Sequence, residues 1–232
     1  VGMILMHGKD SQPPGPLVQY FEREGFMVIS PEMPWSRMRQ YDRAYSAAVR
    51  DLHADVVRLR QRGAEFIIVG GHSFGANGAL AYQVVYNDAD ALMLFAPGHF
   101  PGDWYVNGTI KADVDRAGEL FNAGKAKERF SFKDPGTFGI NTRTSTVEIY
   151  LSYFRPASLA NMRRTAPALK RAVPVLVVNS QDEVRNQGRN AIFDKLPSHA
   201  LSQYVEVGGG HTQAAEAAAQ QARQFVNSLI GE

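Results

Sequence analysis

The stretch Ile67-Ile68-Val69-Gly70-Gly71-His72-Ser73-Phe74-Gly75-Ala76-Asn77-Gly78 decides how this chain is read. An apolar run of strand length leads into Gly71-His72-Ser73-Phe74-Gly75, which has the form G-x-S-x-G, and a helical pattern follows. A serine held on a sharp strand-to-helix turn has a strained backbone. Side chains two residues to either side would collide with the turn, so glycine is needed at both places. Such a turn presents the serine hydroxyl above the strand ends, and the N-terminus of the following helix favours negative charge developing there. Ser73 is therefore the candidate nucleophile; the plainer alternative is a glycine-rich turn with an inert serine.

A serine hydroxyl is a weak nucleophile and needs a neighbouring base. The chain has six histidines: His7, His53, His72, His99, His199 and His211. His211 follows a predicted strand and the loop Gly208-Gly209-Gly210 and precedes the last helix, so it can reach across strand ends. The base in turn needs a carboxylate that fixes its tautomer. Asp182, in the polar turn after Val177-Val178-Asn179, is the expected acid, with Glu183 as the neighbour that competes.

Outward from this string, apolar runs of strand length fall at residues 3–6, 26–30, 66–70, 91–95, 175–179 and 203–207, with helical patterns between them. Tyr45, Val49, Leu52, Val56 and Leu59 step by four and three, as do Ala218, Ala222, Phe225 and Leu229. Fully apolar strands alternating with helices predict an α/β fold with a parallel sheet covered on both faces. Residues 98–173 interrupt the rhythm and are too long for a simple crossover. They read as an inserted helical cap, with 1–97 and 174–232 forming the core. Within the cap, Ser145-Thr146-Val147-Glu148 reads as a capping box. The cap also supplies Phe121, Phe130, Phe132, Phe138, Tyr150, Tyr153 and Phe154, which points to an apolar acyl or aryl group in the substrate.

The G-x-S-x-G string and the order Ser73, Asp182, His211 resemble the α/β-hydrolase superfamily, whose triad follows the order Ser…Asp/Glu…His. The resemblance covers nearly the whole chain. It implies an α/β-hydrolase fold with a mainly parallel sheet of at least six strands. It also implies a cofactor-free serine hydrolase, most readily a carboxylic ester hydrolase working through an acyl-enzyme. The oxyanion hole it implies is the backbone N–H of Phe74 together with that of Lys9, the residue after His7-Gly8; His7 then braces the loop. Amide or peptide cleavage and acyl transfer on the same triad remain open, as does a non-catalytic binding protein on a hydrolase scaffold. Trp35, in a turn after the second strand, and His99 and Phe100, after the fourth, are candidate substrate contacts.

Composition narrows the partners. Lys and Arg number 25 against 23 Asp and Glu, for a net charge of +2, and no run of five basic residues occurs, so nucleic acid is not expected. No apolar run approaches about 18 residues, so no membrane span is expected. There is no cysteine, which excludes disulfides, thiolate metal sites and a cysteine nucleophile. The histidine spacings fit no zinc motif, and no dinucleotide fingerprint follows the first strand. The compartment is left open. Superfamily members usually place two antiparallel strands ahead of the His-Gly strand, and this sequence starts at Val1 inside that strand. The strand at 26–30, apolar and uncharged, is thus expected at a sheet edge, covered by an upstream hairpin or by a second copy of the chain.

Overall fold

The computed structural model describes residues 1–183 and 188–231. Its main sheet contains strands β1 (Gly2–Met6), β2 (Met27–Ile29), β3 (Ile67–His72), β4 (Ala91–Phe95), β7 (Val175–Ser180) and β8 (Gln203–Val207). They pair in the order β2-β1-β3-β4-β7-β8, all parallel. The second strand lies at an edge, as its place in the sequence predicts.

Alternate residues of each strand point to opposite faces, and both faces are apolar. Ile4, Met6, Val69, Leu92, Leu94 and Val177 face one core with α2 (Tyr45–Gln61) and α3 (Phe74–Tyr86). Met3, Leu5, Ile68, Met93, Phe95 and Val178 face the other, with α1 (Val18–Arg23) and the C-terminal helices α8 (Ala214–Ala217) and α9 (Ala219–Ile230). This two-sided burial is why the strands read as continuous apolar runs rather than alternating ones.

The segment between β4 and β7 is not purely helical. It holds α4 (Pro101–Val106), α5 (Lys111–Asn122), α6 (Val147–Phe154) and α7 (Met162–Thr165), but residues 129–146 form an antiparallel hairpin of β5 (Arg129–Gly136) and β6 (Gly139–Thr146). The period-two run Phe130-Ser131-Phe132-Lys133 and the alternate β-branched residues Ile140, Thr142 and Thr144 explain it. Gly136 pairs with Gly139, leaving Thr137 and Phe138 as a two-residue turn. The expected capping box does not form; a single side-chain cap one position later replaces it. Thr146, not Ser145, caps α6 by accepting the Ile149 N–H at 3.4 Å.

Register sets the functional end of the sheet. Met6 lies beside Gly71, and His72 beside Phe95, so the chain leaves β1, β3 and β4 at neighbouring points. Ser180 lies beside Val207, so the turns after β7 and β8 also start together. Ligand sites of open α/β sheets form at this carboxyl end.

Phe225 fixes the last helix to the sheet and is fully buried among Phe21, Ile68, Met93 and other apolar neighbours. Phe225→Ala should lower the unfolding free energy by about 3–5 kcal/mol in urea titrations. A loss under about 1 kcal/mol would contradict this packing.

Candidate active site

Strand β3 delivers His72, and α3 starts at Phe74. Between them Ser73 adopts φ 56° and ψ −113°, a conformation that costs a non-glycine residue strain. Hydrogen bonds hold it there. The Ser73 N–H donates to the Phe95 carbonyl at 2.8 Å, and the Ser73 carbonyl accepts the N–H groups of Ala76 at 3.1 Å and Gly98 at 3.2 Å. The two flanking glycines are required by close approach to β1. A Cβ on Gly71 or on Gly75 would come within 2.6 Å of the Met6 carbonyl oxygen. The serine side chain has backbone on two sides. A Cβ on Gly98 would lie 3.0 Å from Ser73 Oγ, and one on Gly8 would lie 3.3 Å from Ser73 Cβ.

His211 opens a 3-10 turn, His211–Gln213, directly after the glycine loop. Its Nδ1 lies 2.6 Å from Glu183 Oε1. The carboxylate can only accept, so Nδ1 carries the proton and Nε2 of a neutral ring is left as an acceptor. Glu183 is set by the turn after β7. Its N–H donates to the Ser180 carbonyl at 3.0 Å, and its Oε2 accepts the Ser180 hydroxyl at 3.3 Å. The carboxylate on His211 is therefore Glu183 and not Asp182, whose side chain is exposed. The turn gives the inward position to the second of the two adjacent acids.

His72 adds a contact that sequence reading missed. Its Nε2–H donates to the His211 carbonyl at 2.8 Å, and the two rings lie 4.8 Å apart. Burial, then the positive field of His211, holds the His72 pKa down to about 4. His99 is held down to about 3, chiefly by burial, and donates Nε2–H to the Tyr153 carbonyl at 2.8 Å.

One cavity of about 1210 Å³ is lined by Ser73, Phe74, His72, His211, Glu183 and Lys9, among others. No acceptor among the described residues takes the amide N–H of Lys9 or of Phe74. His7 is buried beneath the loop, with Nδ1–H on the Gly8 carbonyl at 2.8 Å and Nε2 accepting the Met33 N–H at 3.1 Å. It braces the loop, as expected. His99 and Phe100 line the cavity, and so does Trp104, which sequence reading did not single out. Trp35 does not. It is buried in the core, donates Nε1–H to the His7 carbonyl at 3.1 Å and stacks on Phe74 with ring centroids 4.7 Å apart.

The aromatic side chains of the insert also sit elsewhere than expected. Phe132, Tyr150, Tyr153 and Phe154 pack into the core, and Phe121 is exposed; of the seven rings expected to meet substrate, Phe138, at the hairpin tip, is the one that lines the cavity. Packing Phe132, Tyr150, Tyr153 and Phe154 into the core removes their apolar area from water, and the cavity wall is left mixed, with Gln12, Arg37, Asn141 and Thr212. No group of three or more His, Asp or Glu among the described residues is placed to hold a metal ion. No helix among them is long and apolar enough to cross a membrane.

The whole described chain superposes on solved hydrolases. One structure, described under LipS and LipT, two metagenome-derived lipolytic enzymes, gives a TM-score of 0.66 at 14% identity over 98% of this chain and 93% of that one. The alpha/beta hydrolase GrgF from Penicillium sp. sh18 gives 0.69 at 13% identity, covering 98% and 90%. The chain has the α/β-hydrolase fold. Est1E from Butyrivibrio proteoclasticus, solved with ferulic acid bound, shares the α/β-hydrolase fold at a TM-score of 0.67 and 16% identity, covering 100% and 90%. No protein-family model matches the sequence, and no curated protein matches it.

The buried imidazoles of this α/β-hydrolase domain predict a pH dependence of stability. In the unfolded chain a histidine takes up its proton near pH 6.5, at about its ordinary value. Folded, His72 resists protonation until about pH 4 and His99 until about pH 3. Between those limits the unfolded state binds more protons, so this stability is present above about pH 6.5 and is lost as pH falls below it. Denaturation midpoints should drop between about pH 7 and about pH 5. Equal midpoints at the two values would contradict the buried neutral rings.

Proposed function

We propose that this protein is a serine hydrolase that cleaves carboxylic esters through an acyl-enzyme. The observation that carries the reading is the His211–Glu183 pair at 2.6 Å in the wall of the cavity that the strained Ser73 also lines. Ser73 Oγ attacks the ester carbonyl carbon while His211 Nε2 takes its proton. Glu183 holds the Nδ1–H and stabilises the imidazolium. The amides of Lys9 and Phe74 receive the negative charge that develops on the carbonyl oxygen, each donor supplying about 3 kcal/mol in the transition state. His211 returns its proton to the departing alkoxide, and water then repeats the sequence on the acyl-enzyme, releasing the acid. Residues 98–173 act as the cap of this site, contributing His99, Phe100, Trp104 and the hairpin tip to its wall. Lipolytic enzymes are among the proteins that share this fold, and ester cleavage is the reading taken here, with amide cleavage and acyl transfer on the same residues as the alternatives.

Substitution tests the roles separately. Ser73→Ala should lower kcat for a nitrophenyl ester by about 10³-fold or more with little change in melting temperature. Glu183→Gln should lower kcat strongly, by about 10³-fold, because the imidazolium loses its partner. Asp182→Asn should leave it within about threefold. Activity retained in Ser73→Ala overturns the nucleophile. A large loss in Asp182→Asn with none in Glu183→Gln overturns the assignment of the acid.

A further inference from the structure

The Lys9 amide lies near the start of the loop between β1 and α1, in the stretch Gly8-Lys9-Asp10, in which Asp10 is held at φ 57°. The backbone of this loop makes few bonds of its own: the Asp10 N–H donates to the Trp35 carbonyl at 2.9 Å, and the Ser11 N–H reaches the Gly8 carbonyl at 3.4 Å. Its two charged side chains are both tied to the β5–β6 hairpin, more than 120 residues away in sequence. Lys9 Nζ donates to Asp134 Oδ1 at 2.7 Å and to the Pro135 carbonyl at 2.5 Å. Arg143 Nε donates to Asp134 Oδ2 at 2.7 Å, and its Nη2 reaches Asp10 Oδ1. The Tyr41 hydroxyl donates to Asp134 Oδ1 at 3.3 Å, and the Arg143 guanidinium lies over the Tyr41 ring.

Asp134 is fully buried, and the Lys9 side chain is only 12% exposed. Two cations and two anions thus form a neutral cluster at the junction of loop and hairpin. Burial followed by the Asp134 charge pushes the Tyr41 hydroxyl well above its ordinary range, so it is a neutral donor there. Desolvating such a cluster offsets much of its Coulombic gain, so net stability is a weak reason for it. Fixed geometry is a better one, because a buried carboxylate with donors on both oxygens has one satisfied arrangement. Two of the three N–H groups of the Lys9 ammonium are taken by Asp134 and Pro135, which turns it toward the hairpin. What Lys9 offers the cavity is therefore its backbone N–H.

We propose that Asp134 and Arg143 are positioning residues that hold the Lys9 amide at the oxyanion site, through the side chains of Lys9 and Asp10. This rests on the reading of Lys9 as an oxyanion donor in a serine hydrolase. The insert then takes part in rate as well as in shaping the cavity, since moving the hairpin moves the donor.

The test compares wild type with Lys9→Met, Asp134→Asn and the double variant, measuring kcat, KM, melting temperature and inhibition by a reversible phenylboronic acid, which forms a tetrahedral adduct on the serine. Losing one oxyanion donor outright costs about 10²–10³ in kcat, so a displaced one should cost about tenfold or more. The expected result is that fall in both single variants, with KM within about threefold and boronate affinity falling in step with kcat. The double variant should be no worse than the poorer single one, because the pair acts as a unit. Lys9→Met deletes only the ammonium end and keeps the amide, so it serves if Asp134→Asn does not fold. A lowered melting temperature with kcat and boronate affinity unchanged would overturn the proposal and leave a structural tie. Failure of the underlying reading looks different: wild type itself would show no hydrolysis that depends on Ser73.

Discussion

The backbone at Ser73 can be held in its strained conformation only because β1 and α3 come together without intervening side chains. Gly71 and Gly75 both press against the Met6 carbonyl, where a single methyl at either would collide at 2.6 Å. That contact locks the end of β3 to the end of β1 and starts α3 under the cavity. It also brings the His7–Asp10 loop against Ser73 on one side and the Gly98–His99 segment on the other. The Ser73 N–H is held by the end of β4, and its carbonyl by the first turn of α3 and by Gly98, so the strain is supported by the elements that meet at this turn.

The rest of the site is assembled from the far half of the sheet. The turns after β7 and β8 start side by side, which lets Glu183 reach His211 across one strand spacing. The glycine loop before His211 has little stiffness of its own. His72 supplies some from inside the Ser73 turn, by donating to the His211 carbonyl, while Gln213 caps the Gly210 N–H at 3.1 Å. The residue between Gly71 and Ser73 therefore links the two halves. The insert does the corresponding task for the His7–Asp10 loop through Asp134 and Arg143.

Much of this was legible in the sequence because it follows from local rules. Strands buried on both faces give unbroken apolar runs, and the six runs match the six strands to within two residues at either end. The glycines around Ser73, where a Cβ would collide, and Gly209, at φ 88°, mark places that other residues fill only with strain. What was misread depends on long-range packing. Asp182 and Glu183 are adjacent and chemically alike, and only the turn geometry after β7 decides which one faces His211. Trp35 and the aromatic residues of α6 look like ligand contacts in a list of residues, yet they fill the space between α2, α3 and the insert. The hairpin of the insert had a visible period-two signal at Phe130 and Phe132, masked by the helical patterns on either side. Nothing local announced the Lys9–Asp134 pair, whose members are separated by 125 positions.

The central claim is that Ser73 is an activated nucleophile, and a fluorophosphonate probe reads this without any assumption about substrate. The probe loses fluoride as a serine oxygen attacks its phosphorus, so it labels only a serine with a working base and oxyanion site. Intact-mass measurement followed by peptide mapping should find one phosphonyl group per chain, on Ser73, formed within minutes in wild type and far more slowly in His211→Gln. An unlabelled chain, or label placed on any other residue, would contradict the account.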